Sequence, residues 1–387
     1  MAITRIGPNN STNISGITNA QLAGSINNSK FANIVQSKNI IINGDMQISQ
    51  RSTSQASITS DGYYTLDRFT TEIGSFGTWT QSQSTDVPTG QGFANSLKMD
   101  CTTAQGSPGS SAVMLVGQSI EGQMLQYLCW GTSDAKQVTL SFWHKHTKTG
   151  TNIVELLESD NNDAVSGSYT QSVSDTWEKA TITFPAKTSG AIDNDNARSL
   201  RIRFIIGSGT DNTSGTLATT WQSSITNANR YAGQVNNADS TSNNFIITGV
   251  QLEAGDTASE FEFLPYDVNL RRCHRYCLIL GDAPGGATYD YADDGVIGHY
   301  YNTTDFYPNF FFPVPMRSTP GVSFSTTGSG LGDVSSQNTA KTGTSAGTNA
   351  TSATNINFRV STSSATQGSG GAFNFAANDY VILSAEL

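Results

Sequence analysis

The sequence predicts an all-β protein: an antiparallel jelly-roll sandwich followed by a smaller C-terminal β domain, with a short N-terminal arm. Two observations lead to this prediction. Short runs in which apolar and polar residues alternate recur along the chain, with turn-forming residues between them, as in half-buried strands. Charged residues make up only 13% of the chain, whereas 18 Phe, 13 Tyr and 5 Trp are spread along it and can fill a packed core.

The chain is long enough, at 387 residues, for two or three domains that each have a hydrophobic core. Changes in pattern along the sequence set the predicted boundaries. We predict an N-terminal arm over 1–37, a jelly-roll sandwich over 38–265, a linker helix over 266–277 and a C-terminal β domain over 278–387.

The predicted arm is small and polar, and its apolar residues are irregularly spaced. Residues 19–31 could form a helix in a bundle, but so short a segment cannot bury its apolar side chains alone. We therefore expect an attachment and trimerisation arm that is ordered only against neighbouring copies or a larger particle. A flexible leader is the alternative.

Strand patterns dominate the predicted sandwich. Val138, Leu140 and Phe142 alternate with Thr139 and Ser141, for example, as expected when one face of a strand is buried. The predicted strands include 39–42, 111–116, 137–144, 153–157, 179–184, 200–206 and 244–252, and one helix is predicted over 119–130. Strands of this number and length indicate two antiparallel sheets in a jelly roll.

Residues 244–277 are predicted to connect the two β domains. The run Phe245-Ile246-Ile247 opens a strand, because β-branched and aromatic residues suit a pleated sheet. After Pro265 the apolar residues recur at helical spacing, which predicts a short helix. The basic residues Arg271, Arg272 and Arg275 form the only basic cluster, which we interpret as the cationic end of this helix.

The C-terminal region is predicted to contain strands over 296–301, 306–313, 355–360 and 380–383. Residues 323–371 are mostly Ser, Thr, Gly, Asn and Ala, and we favour long turns between narrow strands over a linker there. Narrow sheets with open edges are a liability in a monomer, so we expect a homotrimer.

Composition also excludes several classes of function. A net charge of −10 argues against binding to nucleic acid and to anionic membrane surfaces, and no run of about 18 apolar residues exists for membrane insertion. The N-terminus lacks the apolar segment of a secretory signal, although the composition is typical of an exposed adhesive protein. Folding in a host cytoplasm and release by lysis would satisfy both observations. The four cysteines are too few and too unevenly spaced for a disulfide framework, so we expect free thiols.

Four segments carry a family resemblance: 244–277 with its motifs GVQLE and C-x-RY, 39–51 (NIIINGDMQISQR) followed by LDRF at 66–69, LSFW at 140–143, and FPVPMRSTP at 312–320. Together they resemble bacteriophage tail-fibre and related virion proteins. The resemblance spans most of residues 39–387 and implies a location in the virion, with the arm contacting other tail or capsid proteins. It implies no catalytic mechanism, because these positions are typical of core and turn residues.

Two motifs raise the question of a metal site. His144 and His146 share one face of a predicted strand and could chelate a metal, but no third ligand follows at a recognisable spacing, so we favour solvent-facing histidines unless three copies share a site. Cys273 and Cys277 share one face of the predicted helix. Without a second pair of ligands, packing is the better interpretation, and no cofactor is predicted.

Three carboxylate clusters could bind Ca²⁺ or serve as the acid and base of a glycoside hydrolase: Asp160 with Asp163, Asp193 with Asp195, and Asp290 with Asp293 and Asp294. Short runs of Asp and Asn are also what turns are made of, and none of the clusters has the order of an EF-hand loop. No phosphate-binding loop is present, because the sequence has no GKS or GKT. We therefore predict no enzymatic activity.

Residues 287–307 are the best candidate for a binding site, because aromatic and acidic residues are interleaved there. Aromatic faces stack on sugar rings and carboxylates accept hydrogen bonds from hydroxyl groups, so the mixture suits a shallow glycan site. The candidate receptor-binding residues are Tyr289, Tyr291, Asp293, Asp294, Tyr300 and Tyr301. The alternative is that alternate aromatic residues belong to the core of a strand.

The sequence thus supports three hypotheses. The favoured one is a tail fibre that mediates adsorption by multivalent, non-catalytic binding to a glycan or protein of the host cell surface. The second is a capsid or tail decorating protein without a receptor role. The third is an envelope-glycan hydrolase whose carboxylate pair is not recognisable from the sequence.

Overall fold

Antiparallel strands make up most of the computed structural model, which describes residues 38–281, 295–325, 331–336 and 339–387. The predicted arm over 1–37 lies outside the described residues. The strands of the first β region are, in chain order, β1 (Ser54–Ile58), β2 (Thr70–Gly74), β3 (Thr78–Ser84), β4 (Ser96–Thr103), β5 (Val113–Glu121), β6 (Val138–His146), β7 (Gly150–Glu158), β8 (Asp163–Gln171), β9 (Glu178–Phe184), β10 (Arg198–Ser208) and β11 (Asn244–Ala254).

These strands form two sheets that face each other across one core. The six-stranded sheet has the order β1-β3-β4-β11-β6-β9, and the five-stranded sheet has the order β2-β5-β10-β7-β8. From β4 to β11 the chain crosses repeatedly between the two sheets, as in a jelly roll. Phe142 of β6 and Phe204 of β10 meet in the core at a ring-centroid distance of 5.0 Å. The predicted antiparallel jelly-roll sandwich is confirmed.

The segment before β1 packs against β11 without forming a strand. Gly249 has a φ of +60° at an irregularity in the pairing of β11 with β6, and a Cβ there would lie 2.5 Å from the Phe93 ring. Gly44 approaches the other side of the irregularity, since a Cβ on it would lie 2.1 Å from the Val250 carbonyl oxygen. The backbone NH of Val250 donates to the Gly44 carbonyl at 2.9 Å. These close approaches fix the segment on the strand.

Two predicted elements were wrong. Residues 39–42 form irregular structure, with bends at 41 and 42, instead of a strand, because side chains satisfy their backbone: the Ile41 NH donates to Asn39 Oδ1 and the Ile42 NH donates to Gln118 Oε1. The helix predicted over 119–130 is absent, because β5 continues to Glu121, which pairs with β10. Two short 3₁₀ turns, Gly122–Met124 and Gln126–Leu128, follow instead.

The second β region contains two further sheets. Its strands are β12 (Cys277–Gly281), β13 (Val296–Tyr300), β14 (Asp305–Phe311), β15 (Gly321–Phe324), β16 (Gly332–Ser336), β17 (Thr339–Thr342), β18 (Ser345–Thr351), β19 (Asn355–Ser361), β20 (Gly370–Phe375) and β21 (Tyr380–Ser384). A seven-stranded sheet, β17-β16-β20-β13-β14-β19-β18, packs on a three-stranded sheet, β12-β21-β15. Residues 323–371 therefore contain narrow strands, as predicted, although they include segments outside the described residues.

Helices play a small part in the described fold. α1 (Thr210–Thr213) is a single turn beside β10, and α2 (Tyr266–His274) precedes β12. The predicted short helix after Pro265 is thus present, with Arg271 and Arg272 in its last turn. Among the described residues, no helix combines the length and the apolar character needed to cross a bilayer.

The last residues of the chain hold the second β region against the sandwich. The Glu386 carboxylate contacts Arg51, which precedes β1, and Arg68, which follows β1. Both arginine side chains are almost completely buried. The Arg68 guanidinium also lies 3.5 Å from the Tyr276 ring centroid. Arg317 donates from Nε to the Ala385 carbonyl at 2.8 Å. The contact between the two β regions is therefore a buried polar joint, which is expected to resist bending.

Candidate binding surface

One face of the seven-stranded sheet packs in the C-terminal core, and within the described residues the side chains on the opposite face of β13, β14 and β19 are exposed or half-buried. On β14 the side chains alternate strictly, so that Phe306 and Pro308 are buried while Asn309 and Phe311 are exposed. We use the term outer face for the residues on the open side of three adjacent strands: Ile297, His299 and Tyr301 from β13 and its end, Tyr307, Asn309 and Phe311 from β14, and Asn357 and Arg359 from β19. The outer face is a broad, exposed surface with several aromatic rings.

Tyrosines form the centre of the outer face. The rings of Tyr301 and Tyr307 lie 5.5 Å apart in an edge-to-face arrangement, and the His299 ring lies 6.5 Å from that of Tyr307. Gly370, which has no side chain, lies beside His299 on the neighbouring strand β20, so this strand does not cover the ring at that position. The result is a shallow aromatic platform at the surface.

Amide side chains adjoin this platform. Asn309 of β14 pairs with Asn357 of β19, and Asn349 Nδ2 donates to Asn357 Oδ1 at 2.7 Å. The Asp305 carboxylate accepts from Ser361 Oγ and from Asn302 Nδ2, each at 2.8 Å. Aromatic rings and fixed hydrogen-bonding groups are thus combined on a rigid sheet, which is the chemistry required to bind a polar ligand with apolar patches.

The two candidate tyrosines within the described residues differ in burial. Tyr301 is 65% exposed and lies on the outer face, whereas Tyr300 is fully buried in the C-terminal core. The Tyr300 hydroxyl lies 3.0 Å from Thr362 Oγ1, and burial raises its pKa. The prediction that Tyr300 contacts a receptor is therefore wrong, because the alternation of β13 turns this residue inward. The other candidates, Tyr289, Tyr291, Asp293 and Asp294, lie outside the described residues.

Adjacent tyrosines should consequently respond in opposite ways to truncation. Tyr300→Ala removes a fully buried ring from the core, and we expect it to lower the free energy of unfolding by about 3–5 kcal/mol. Tyr301→Ala is expected to change that free energy by no more than about 0.5 kcal/mol, because its ring is largely in solvent. Chemical denaturation of the two variants checks this. Equal losses of stability would contradict the assignment of Tyr301 to the surface.

Sequence reasoning missed Asn357 and Arg359, the residues that β19 adds to the outer face. A signal for them was present, because Ile356, Phe358 and Val360 alternate with Asn357 and Arg359 in the predicted strand. The sequence could not show that β19 pairs with β14, which brings them next to Tyr307.

The two strand histidines are buried, so the prediction of solvent-facing histidines is wrong. His144 Nδ1 donates to Gln171 Oε1 at 2.8 Å, and the His146 ring stacks on Phe245 at 4.0 Å. His146 Nε2 lies 3.0 Å from the Tyr169 hydroxyl. Both rings therefore have protein partners in the core of the sandwich. Among the described residues, no group of three potential metal-binding side chains occurs.

Acid should destabilise the sandwich through these histidines. Burial lowers the pKa of His144, and burial together with the neighbouring His144 lowers that of His146 well below the usual 6.5. The unfolded chain therefore binds protons below pH 6.5 that the folded chain does not bind. The contribution of the two buried, neutral histidines to the free energy of unfolding is complete above pH 6.5. It is lost as the pH falls from 6.5 towards the pKa values of the histidines in the folded chain. We expect the free energy of unfolding to fall by up to about 1.4 kcal/mol per pH unit for each histidine.

Urea denaturation between pH 7 and pH 5 measures this slope. A His146→Gln variant should show a smaller dependence on pH, because one proton-binding site of the unfolded chain is gone. An identical slope in the variant and the parent would contradict the role assigned to His146.

The cysteines and the carboxylate clusters have structural roles where they are described. Cys101, Cys129, Cys273 and Cys277 are free, as predicted, and burial raises the pKa of Cys273 and Cys277.

Asp160 Oδ2 accepts from the Asp193 backbone NH at 3.0 Å, and Asp195 Oδ1 accepts from the backbone NH of Ala197 at 2.9 Å. The second is a local turn contact, whereas the first joins two segments that are 33 residues apart in sequence. Asp163 pairs with Lys187, and the cluster at 290–294 lies outside the described residues.

A small cleft lies where the segment before β1 meets α2. It is lined by Asn39, Ile41, Asn43, Gly44, Asp45, Phe261, Glu262, Leu264, Asn269 and Arg272. Asn269 bridges it, since Nδ2 donates to Asp45 Oδ1 at 3.0 Å while Oδ1 accepts from the Asn43 NH at 3.2 Å. Burial raises the pKa of Asp45. Hydrogen bonds across the cleft join the two segments, so we interpret the cleft as a packing contact between them.

Comparisons with known proteins give structural matches only. No family model and no curated protein matches the chain. The enzymatically active domain of tailspike protein 4 of bacteriophage CBA120 matches with 16% identity and a TM-score of 0.30, over 56% of this chain and 21% of that chain. A family 11 carbohydrate-binding module from Clostridium thermocellum, solved with a β-1,3-1,4-mixed-linked tetrasaccharide, matches with 12% identity and a TM-score of 0.28, over 54% of this chain and 99% of that chain. This chain thus covers about a fifth of the tailspike chain.

Proposed function

We propose that this chain is a non-catalytic glycan-binding protein of a phage virion, a tail fibre that attaches the particle to the host cell surface. The observation that carries the binding function is the outer face, on which Tyr301 and Tyr307 are grouped with amide side chains on an open sheet. The resemblance of the four sequence segments to tail-fibre proteins supports the place in the virion.

The outer face matches the two kinds of surface that a sugar presents. Pyranose rings expose patches of C–H groups, which pack against aromatic rings such as Tyr301 and Tyr307. Their hydroxyl groups donate and accept hydrogen bonds, and the exposed Asn309 amide carries both functions beside the rings. Because the side chains stand on paired strands, little ordering is required when a ligand binds.

The carboxylates of this sheet support binding rather than hydrolysis. On its described strands, acidic side chains occur at Asp305 on β14 and Asp333 on β16, and two strands, β20 and β13, lie between them. Three strand spacings of about 4.8 Å give a separation of roughly 14 Å, which is beyond the roughly 5–10 Å required between the two carboxyl groups of a glycosidase. Asp305 is also held by Asn302 and Ser361.

Multivalency would convert weak sites into stable attachment. A shallow, solvent-exposed site of this kind is expected to bind one glycan weakly and reversibly. We propose a homotrimer that displays three outer faces, joined to other tail or capsid proteins through residues 1–37. Several such sites on one particle raise the effective concentration of each for a repetitive surface glycan.

The test uses tyrosine truncations that leave the fold intact. We expect Tyr301→Ala and Tyr307→Ala each to weaken binding to host surface polysaccharide by about tenfold, the effect of losing a contact of about 1.4 kcal/mol. Tyr127→Ala is the matched control, because Tyr127 is also exposed but lies on the sandwich. Binding is measured on immobilised polysaccharide, with melting temperatures recorded for each variant.

Equal binding by all three variants would contradict the proposed site. Unchanged adsorption of particles that carry the Tyr301→Ala and Tyr307→Ala chain would instead favour a capsid or tail decorating protein. Release of reducing sugar from the polysaccharide would show that the chain is a hydrolase.

A further inference from the structure

We infer that the ligand of the outer face is an anionic glycan, whose carboxylate or phosphate group is bound by Arg359. This inference rests on the glycan-binding function proposed above and specifies its ligand class. It begins with the position of a single cation in a chain whose net charge is −10.

Arg359 lies directly beside the aromatic platform. Phe306 pairs with Val360 and Asn309 with Asn357, so the register places Arg359 of β19 opposite Tyr307 of β14. Side chains opposite each other on adjacent strands have Cβ atoms about 5 Å apart. The guanidinium itself lies over Gly347 of β18, so a ligand that extends from the Tyr307 ring across β19 would meet it.

The Arg359 guanidinium is accessible on its other side as well. Gly347 of β18 pairs with Arg359, and a Cβ placed on this glycine would lie 3.8 Å from a terminal guanidinium nitrogen. No side chain from β18 therefore covers the group at this position. Within the part of the chain that the structure describes, no hydrogen bond or ion pair of the Arg359 guanidinium is found, and the residue is exposed.

The nearest acidic group on the sheet is already engaged. Asp305, on the strand next to β19, accepts hydrogen bonds from Ser361 Oγ and Asn302 Nδ2 at 2.8 Å each. Its pKa is lowered by these two hydrogen bonds and, to a smaller extent, by Arg359. Asp333 is the other acidic residue on the described strands of the sheet, and β20, β13 and β14 separate its strand from that of Arg359. Asp305 thus influences Arg359 through space but leaves its donors available.

A guanidinium in this position selects for anions. Arg presents five N–H donors in a planar arrangement that matches the oxygens of a carboxylate or phosphate, and its guanidinium has no hydrogen-bond acceptor. A neutral sugar hydroxyl would use one of these donors, whereas an anionic group can use two and adds charge attraction. The aromatic rings would then hold the sugar, and Arg359 would distinguish acidic from neutral sugars.

The experiment uses an array of bacterial surface polysaccharides, each spotted in native, carboxyl-reduced and dephosphorylated form. We expect the parent chain to bind native acidic polysaccharides and to lose about tenfold in affinity when their anionic groups are removed. Loss after carboxyl reduction identifies a uronate-type carboxylate, and loss after dephosphorylation identifies a phosphate. Binding should also weaken as salt is raised from 50 mM to 500 mM, because charge attraction is screened.

Two variants assign the effect to Arg359. Arg359→Gln should weaken binding to the native acidic polysaccharide about tenfold while leaving binding to its neutral form unchanged, and Arg359→Lys should restore part of the difference. Equal binding to native and neutralised forms, or no effect of Arg359→Gln, would overturn the inference while leaving the glycan-binding function in place. Absence of binding to every form would overturn both.

Discussion

Replacing Lys187 with methionine is expected to lower the free energy of unfolding by about 3–5 kcal/mol, the usual cost of breaking a buried ion pair by removing one partner. The Lys187 side chain is 1% exposed, and its ammonium lies 2.8 Å from Asp163 Oδ2 and 3.3 Å from Glu158 Oε2. It also donates to the Ser189 and Gly190 carbonyls at 2.6 and 2.8 Å. Methionine fills a similar volume but leaves two buried carboxylates without a cation.

Urea denaturation of Lys187→Met and of Lys179→Met measures this effect. Lys179 is exposed on β9, so its substitution should change the free energy of unfolding by no more than about 0.5 kcal/mol. Adding Glu158→Gln and Asp163→Asn to Lys187→Met should recover part of the loss, since the uncompensated charges are then gone. Similar stabilities for Lys187→Met and Lys179→Met would contradict the importance of this buried ion cluster.

Replacing Glu386 with alanine is expected to cost about 3 kcal/mol or more for the same physical reason, at the joint between the two β regions. The Glu386 carboxylate lies between the guanidinium groups of Arg51 and Arg68, whose side chains are 10% and 1% exposed. The tail that carries it is fixed on both sides, since the Tyr63 hydroxyl donates to the Leu387 carbonyl at 3.0 Å and Arg317 donates to the Glu386 carbonyl at 3.0 Å. Without the carboxylate, two buried cations face each other.

The effect should appear at the joint before it appears in the sandwich. We expect Glu386→Ala to accelerate amide hydrogen exchange in β12, which begins at this joint, more than exchange in β6, an interior strand of the sandwich. Glu260→Ala is the matched control, because Glu260 is exposed beside β11. If exchange in β12 is the same in the Glu386 and Glu260 variants, the tail does not hold the two regions together.

The fold could be predicted from the sequence where one face of a strand is apolar and the other polar. Leu200, Ile202 and Phe204 show this pattern in β10, and Ile356 and Phe358 show it in β19. Such alternation depends on neighbours along the chain alone. It was therefore sufficient to identify a β-sandwich and most of its strands.

The same reasoning fails where distant residues decide the structure. Residues 39–42 have the composition of a strand, yet their NH groups are satisfied by Gln118 and by the Leu252 carbonyl, far away in sequence. His144 and His146 were expected to be in solvent because they are polar. They are buried because Gln171 and Tyr169 of another sheet supply hydrogen bonds that the sequence pattern cannot reveal.

The candidate site could be predicted only as a segment. The concentration of aromatic residues identified 287–307, but whether Tyr300 or Tyr301 is exposed depends on which side of β13 packs on the core. The contribution of Asn357 and Arg359 depends on the pairing of strands about fifty residues apart, shown by the Asn309 to Asn357 pair. Strand pairing, rather than local pattern, therefore assembles the outer face.

The affinity of a Tyr301→Ala/Tyr307→Ala double variant for host surface polysaccharide tests most directly whether the outer face binds glycan. If the two rings hold the sugar, the dissociation constant should rise about a hundredfold relative to the parent chain, from two contacts of about 1.4 kcal/mol each, while the melting temperature stays within about 2 °C. An unchanged dissociation constant in a variant that retains its melting temperature would show that the glycan binds elsewhere on the chain.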